Sequence, residues 1–100
     1  MGTLSRRRRN DRSRIMSNRG NDWIDFAAVV LKHIEEYTVP QYGDKPNDQV
    51  ENWSVEDCIR QIGKYIARFG KNQRGESDQE KDIIKIAHYA CIASTKMREK

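Results

Sequence analysis

Where this chain is apolar, its apolar residues recur at intervals of three and four, and no segment alternates in twos for long enough to make a strand. That property confines the fold to packed helices. Trp23, Phe26, Val30, Ile34 and Tyr37 share one helical face and predict a helix from about Asp22 to Tyr37, which Pro40 would end. Ser54, with Asp57 three residues on, has the spacing of a capping box. It opens a second helix to near Phe69, with Gly70 able to take the closing left-handed position and an apolar stripe of Cys58, Ile62, Tyr65, Ile66 and Phe69. Ser77 and Glu80 repeat the capping spacing and open a third helix to about Met97, whose expected core face is Ile83, Ala87, Ala90, Cys91, Ser94 and Met97. Ile84 and Ile92 lie on another side of that helix with His88, which predicts burial against a partner subunit. The stretch PQYGDKPNDQVENW reads as an irregular connection. The expected fold is all-α: a small three-helix antiparallel domain over residues 21–100, completed by dimerisation.

Charge divides the chain at the same place. Residues 1–20 hold seven arginines against Asp11, a net of +6, and residues 21–100 hold 12 Lys and Arg against 14 Asp and Glu, a net of −2. The first segment has too little hydrophobicity to offset the entropy of ordering, so a disordered basic arm is expected there. Two readings compete for it. Arg6, Arg7, Arg8, Arg9, Arg12 and Arg14 would tether a nucleic acid through counterion release. Alternatively, translation starts at Met16 and the preceding stretch is an expression remnant or an upstream extension. Cys58 and Cys91 have no CxxC spacing and read as reduced core thiols of a cytoplasmic protein. No apolar run approaches the roughly 18 residues of a bilayer span, so no membrane role is expected.

Two polar rows could carry chemistry. Asp57, Gln61, Lys64 and Arg68 fall within one sector of the second helix, and Asp78, Asp82, Lys85 and Tyr89 line one sector of the third. Consecutive helices joined by a short turn lie side by side and antiparallel, so the rows could meet across a groove, with cations for phosphates beside carboxylates for Mg²⁺. The plain alternative is a solvated face of weak pairs, each worth about 0.3–0.5 kcal/mol. His33 and His88 have no metal-ligand partner of their own type, and no P-loop, dinucleotide fingerprint or zinc spacing is present.

These residues also resemble a known group. K-Y-I-x-R-x-G-K at Lys64 to Lys71, D-x-x-K-x-x-x-Y at Asp82, Lys85 and Tyr89, QYGD followed by Trp53, and IAHYA are together similar to small helical phage and prophage proteins of nucleotide metabolism. They look like dATP/dGTP diphosphohydrolase-like relatives of the MazG-type all-α nucleoside triphosphate pyrophosphohydrolases, over roughly residues 23–97. The resemblance implies a helical oligomer in the cytoplasm of a bacterial host, in which acidic residues hold Mg²⁺ and a triphosphate is cut between its α and β phosphates. The chain departs from that pattern. It lacks the family's E-x-x-E and E-x-x-D pairs, offering Glu35 and Glu36 on the first helix and Asp78 and Asp82 on the third.

The expectations are therefore specific. Lys64, Arg68 and Lys85 would hold phosphates, Asp78 and Asp82 would hold Mg²⁺, and Glu36 would be the base for an attacking water. They divide between a pyrophosphohydrolase and a degenerate nucleotide-binding relative. The competing readings are a nucleic-acid-binding accessory protein that uses the arm, and a small protein-interaction module.

Overall fold

The computed structural model describes residues 16–71 and 76–99; of the disordered arm expected over residues 1–20, residues 1–15 lie outside them, while 18–20 are already helical. Helix α1 (Asn18–His33) starts four residues earlier than the apolar period suggests. Ser17 sets that start, its Oγ accepting the Gly20 N–H at 3.0 Å, and such a polar cap is invisible to a count of apolar spacing.

Pro40 does not end the helix. The chain passes from α1 through a π-helical turn (Ile34–Thr38) into α2 (Val39–Tyr42), with Pro40 in its first turn. The wider turn shifts the hydrogen-bond register by one, as in the bond from the Val39 N–H to the Ile34 carbonyl, and moves carbonyls away from the proline ring. The stop comes at Gly43, whose φ of +93° suits a residue without Cβ and whose N–H bonds the Val39 carbonyl at 2.9 Å. The connection that follows contains one 3₁₀ turn (Gln49–Asn52). It is tied to the last helix, where Lys96 Nζ donates to the Glu51 carbonyl at 3.0 Å and Lys45 pairs with Glu99 at 3.7 Å.

Helix α3 (Val55–Lys71) opens on the expected capping box. The Asp57 N–H donates to Ser54 Oγ at 3.0 Å, and the Ser54 N–H donates to Asp57 Oδ2 at 2.9 Å. Helix α4 (Glu76–Arg98) begins one residue before Ser77, which therefore stands inside the helix; its side chain lies outside the description. α3 and α4 run antiparallel, since Tyr65 meets Tyr89 and Arg68 meets Asp82. No strand occurs among the described residues.

The buried face of α4 is not the expected one. Asp82, Ile84 and Ala93 are buried, whereas Ile83, Ala90, Cys91, Ser94 and Met97 are exposed. The cause is that α4 has neighbours on two sides. Its Asp82, Lys85 and Tyr89 side faces α3, and Ile84, about 200° round the helix from Asp82, shares a side with Lys81 and His88, whose charges interact with His33 of α1. Ile84 is thus covered by its own chain and needs no second subunit, and Ile92 stands half-buried. Cys58 is a core thiol as expected; Cys91 is not.

Candidate functional site

The two polar rows meet. Tyr65 of α3 is the pivot, with the Arg68 guanidinium 5.4 Å and the Lys85 ammonium 5.5 Å from its ring centroid. Arg68 Nε also approaches Asp82 Oδ1 at 4.0 Å, the outer limit of an ion pair, while Asp82 itself is 1% exposed. Behind the cations is a run of stacked rings. Tyr89 lies between Trp53, at 5.9 Å and 11°, and Tyr65, at 6.0 Å and 21°, both offset-stacked distances.

Beside this stack opens a cavity of about 460 Å³. The π-helical turn and α2 supply Tyr37 and Tyr42, the connection supplies Asp48, and α3 and α4 supply Gln61, Tyr65, Lys85, His88 and Tyr89. The volume falls within the range of small-molecule sites, which are largely apolar with a few convergent polar groups. The π-helical turn matters locally, because one residue of added register decides which way Tyr37 and Tyr42 face. Their rings meet edge to face at 6.2 Å. Asp48 Oδ1 is buried in the wall, and no described donor reaches it.

Both histidines and two of the tyrosines that line the cavity are shifted toward their neutral forms. Burial lowers His88 below its usual 6.5, and the nearby His33 lowers it further, against a weaker pull from Asp48. His33 is lowered first by burial and then by Lys85 and Lys81. Burial, with Tyr65 next, pushes the Tyr89 hydroxyl up to about 12, and a hydrogen bond with Tyr37 raises Tyr42. Besides aromatic faces and two imidazoles, the lining carries two half-buried lysines, Lys85 and Lys96, of which Lys96 donates to the Glu51 carbonyl and Lys85 stands over Tyr65.

The residues marked out by sequence are divided by the fold. Lys85 lines the cavity, and Arg68 stands with it over Tyr65. Lys64 is exposed one turn from Arg68 and does not line the cavity, and Glu36 is exposed on the π-helical turn beside Tyr37. Asp82 is turned into the contact between α3 and α4, with the half-buried Asp78 one turn before it. Among the described residues no group of three or more His, Cys, Asp or Glu is placed to hold a metal ion. The arginines from Arg6 to Arg14 lie outside the described residues.

Sequence reasoning missed His33, Tyr37, Tyr42 and Asp48 as cavity residues. Their joint signal was weak, because it depends on the helix continuing past Pro40. No described helix is long and apolar enough to cross a membrane. No protein-family model matches the chain, and neither a curated protein nor a solved structure is significantly similar to it.

Proposed function

We propose that this chain binds a nucleoside phosphate, with the base in the aromatic cavity and the phosphates toward Lys85 and Arg68. The observation that carries the reading is the cavity of about 460 Å³, walled by tyrosines, with the half-buried Lys85 beside the Tyr65 ring. Tyrosine faces accept any base by stacking, worth about 1–3 kcal/mol per base. The Asp48 Oδ1 acceptor suits a ring N–H or exocyclic amino group of a base. The mouth toward the connection carries Asp44, Asp48, Glu51 and Glu99, and two of its lysines are engaged by Glu99 and the Glu51 carbonyl. Phosphates are therefore better placed at the Lys85 and Arg68 end.

The resemblance to MazG-type pyrophosphohydrolases points to the same ligand class, and the metal is a separate matter. A Mg²⁺ that serves a nucleotide needs one or two carboxylates besides phosphate oxygens. Asp78 and Asp82 are the two carboxylates that would hold the ion, which would supply charge neutralisation at the phosphates. By the same resemblance Glu36, exposed and outside the cavity lining, would be the base that takes a proton from a water attacking the α-phosphorus, with pyrophosphate leaving and a nucleoside monophosphate remaining.

The test is calorimetry of the full chain with a panel of deoxynucleoside triphosphates, with and without Mg²⁺. Lys85→Ala should weaken binding by about 1.5–3 kcal/mol, the worth of a hydrogen bond to a charged group, with helicity unchanged. Asp82→Asn should remove the Mg²⁺ dependence and leave residual phosphate affinity. No heat across the whole panel would overturn the reading and return the cations to a solvated face.

A further inference from the structure

The hairpin of α3 and α4 has a second face, opposite the cavity. With the Tyr65–Tyr89 contact as the line along which the helices meet, Ile59, Ile66 and Phe69 of α3 and Ile83 and Met97 of α4 fall on one common flank. None of the five is covered. Their exposures are 54%, 59%, 39%, 45% and 62%. No charged residue lies between them, because the intervening positions of that flank are Ile62, Gly63, Ala87, Ala90 and Ser94.

At roughly 150–250 Å² for a fully exposed large side chain, these five leave on the order of 500 Å² of apolar surface in one patch. That is near the upper end of the largest patches found on monomers, about 300–600 Å². Gly63 adds an independent oddity. It sits in the middle of α3, where glycine costs about 1 kcal/mol relative to alanine, yet a Cβ built there meets nothing within 4 Å. Nothing among the described residues requires its smallness.

We infer that this flank is the contact surface for a second copy of the chain, seated across Gly63 and Ala90 so that two α3–α4 hairpins form a four-helix bundle. Two such patches face to face cover about 1,000 Å², the size at which specific interfaces begin. Two-helix layers with one bare apolar side pair in this way in four-helix bundles. A second copy fits for a further reason: among the described residues the buried hydrophobic core consists of Cys58, Ile84 and Ala93, too few for a chain of this length. The outward apolar positions of α1 are a poorer surface, since Arg19 stands one turn before Trp23 and Glu35 one turn after Leu31. The inference is independent of the cavity's ligand.

The experiment is sedimentation equilibrium of the full chain at rising concentration, with circular dichroism on the same samples. Wild type should approach twice the chain mass of 11.7 kDa. Ile66→Glu, at a position already exposed, should stay helical and sediment as a monomer. Gly63→Arg separates this inference from a purely local role. Within one chain it fills open space and improves helix propensity, so a bare solvent face predicts unchanged mass and equal or greater stability. The interface predicts loss of the dimer. A wild type that stays monomeric at high micromolar concentration, or variants as dimeric as wild type, would overturn the inference.

Discussion

Arg68 stands between two roles, and Arg68→Ala with Asp82→Asn in a double-mutant cycle separates them. Asp82 is 1% exposed, and the Arg68 side chain, 4.0 Å away, is 42% exposed. Two charges at that distance attract by about 4 kcal/mol at an effective dielectric of 20 and by about 1 kcal/mol in water. The exposure of Arg68 places the pair toward the weaker limit, at about 1–2 kcal/mol. The contact of its guanidinium with Tyr65 adds about 0.5–1 kcal/mol at an exposed site. Arg68→Ala should therefore cost about 2 kcal/mol in the wild-type background and less than half as much beside Asp82→Asn, a coupling of about 1 kcal/mol. The assay is urea denaturation followed by circular dichroism at one fixed protein concentration, so that any association contributes equally to all four proteins. Salt should change the coupling little, because one partner is buried. Additive losses within about 0.3 kcal/mol would refute the argument and leave Arg68 with no structural partner in Asp82.

Three further outcomes follow from local chemistry. His33 and His88 are both held below their ordinary 6.5, so as pH falls through 6.5 the unfolded chain takes up protons that the folded chain refuses. Their stability contribution is therefore complete above 6.5 and is lost as pH falls from there toward the lowered values; melting temperatures on either side of 6.5 should show the fall, and a His33→Gln, His88→Gln double variant that kept the full slope would count against it. Ser54→Ala removes the acceptor for the Asp57 N–H at the start of α3 and should cost about 1 kcal/mol in chemical denaturation. Gly43→Ala forces a Cβ into a φ of +93° and should cost about 1–3 kcal/mol, so an unchanged melting temperature would mean that the end of α2 is set elsewhere.

Much of the backbone was legible, and less of the packing. The capping box at Ser54 and Asp57 is local chemistry within four residues, and it appears in the fold as read. The meeting of the α3 and α4 rows was legible too, because a short connection between two helices leaves few arrangements, and Arg68 reaches Asp82. Pro40 misled because a proline's effect depends on the register of the turn before it, and the π-helical turn at Ile34–Thr38 leaves no mark in apolar spacing. The cavity was lost with it, since Tyr42 and Asp48 join Lys85 only when the helix runs on to Gly43. The face of α4 misled for a different reason. Ile83, Ala87, Ala90 and Met97 do form a stripe at helical spacing, but periodicity reports that a face is apolar and not which neighbour covers it.

That distinction gives α4 three faces instead of two. The first meets α3 through Asp82, Lys85 and Tyr89, the second, which carries the buried Ile84, is turned toward α1, and the third carries Ile83 and Met97 outward. The cavity opens between the first and second, whereas the bare flank is the third. Ligand and partner would thus act on the same helix from opposite sides, about one helix diameter of 10 Å apart, with no side chain shared. An influence of one on the other has to pass through the spacing of α3 and α4, and the ring stack of Trp53, Tyr89 and Tyr65 fixes that spacing on the cavity side. A base that presses on Tyr65 or Tyr89 would move the two helices that a second copy must match, so Tyr89 is the position at which binding and assembly would be coupled.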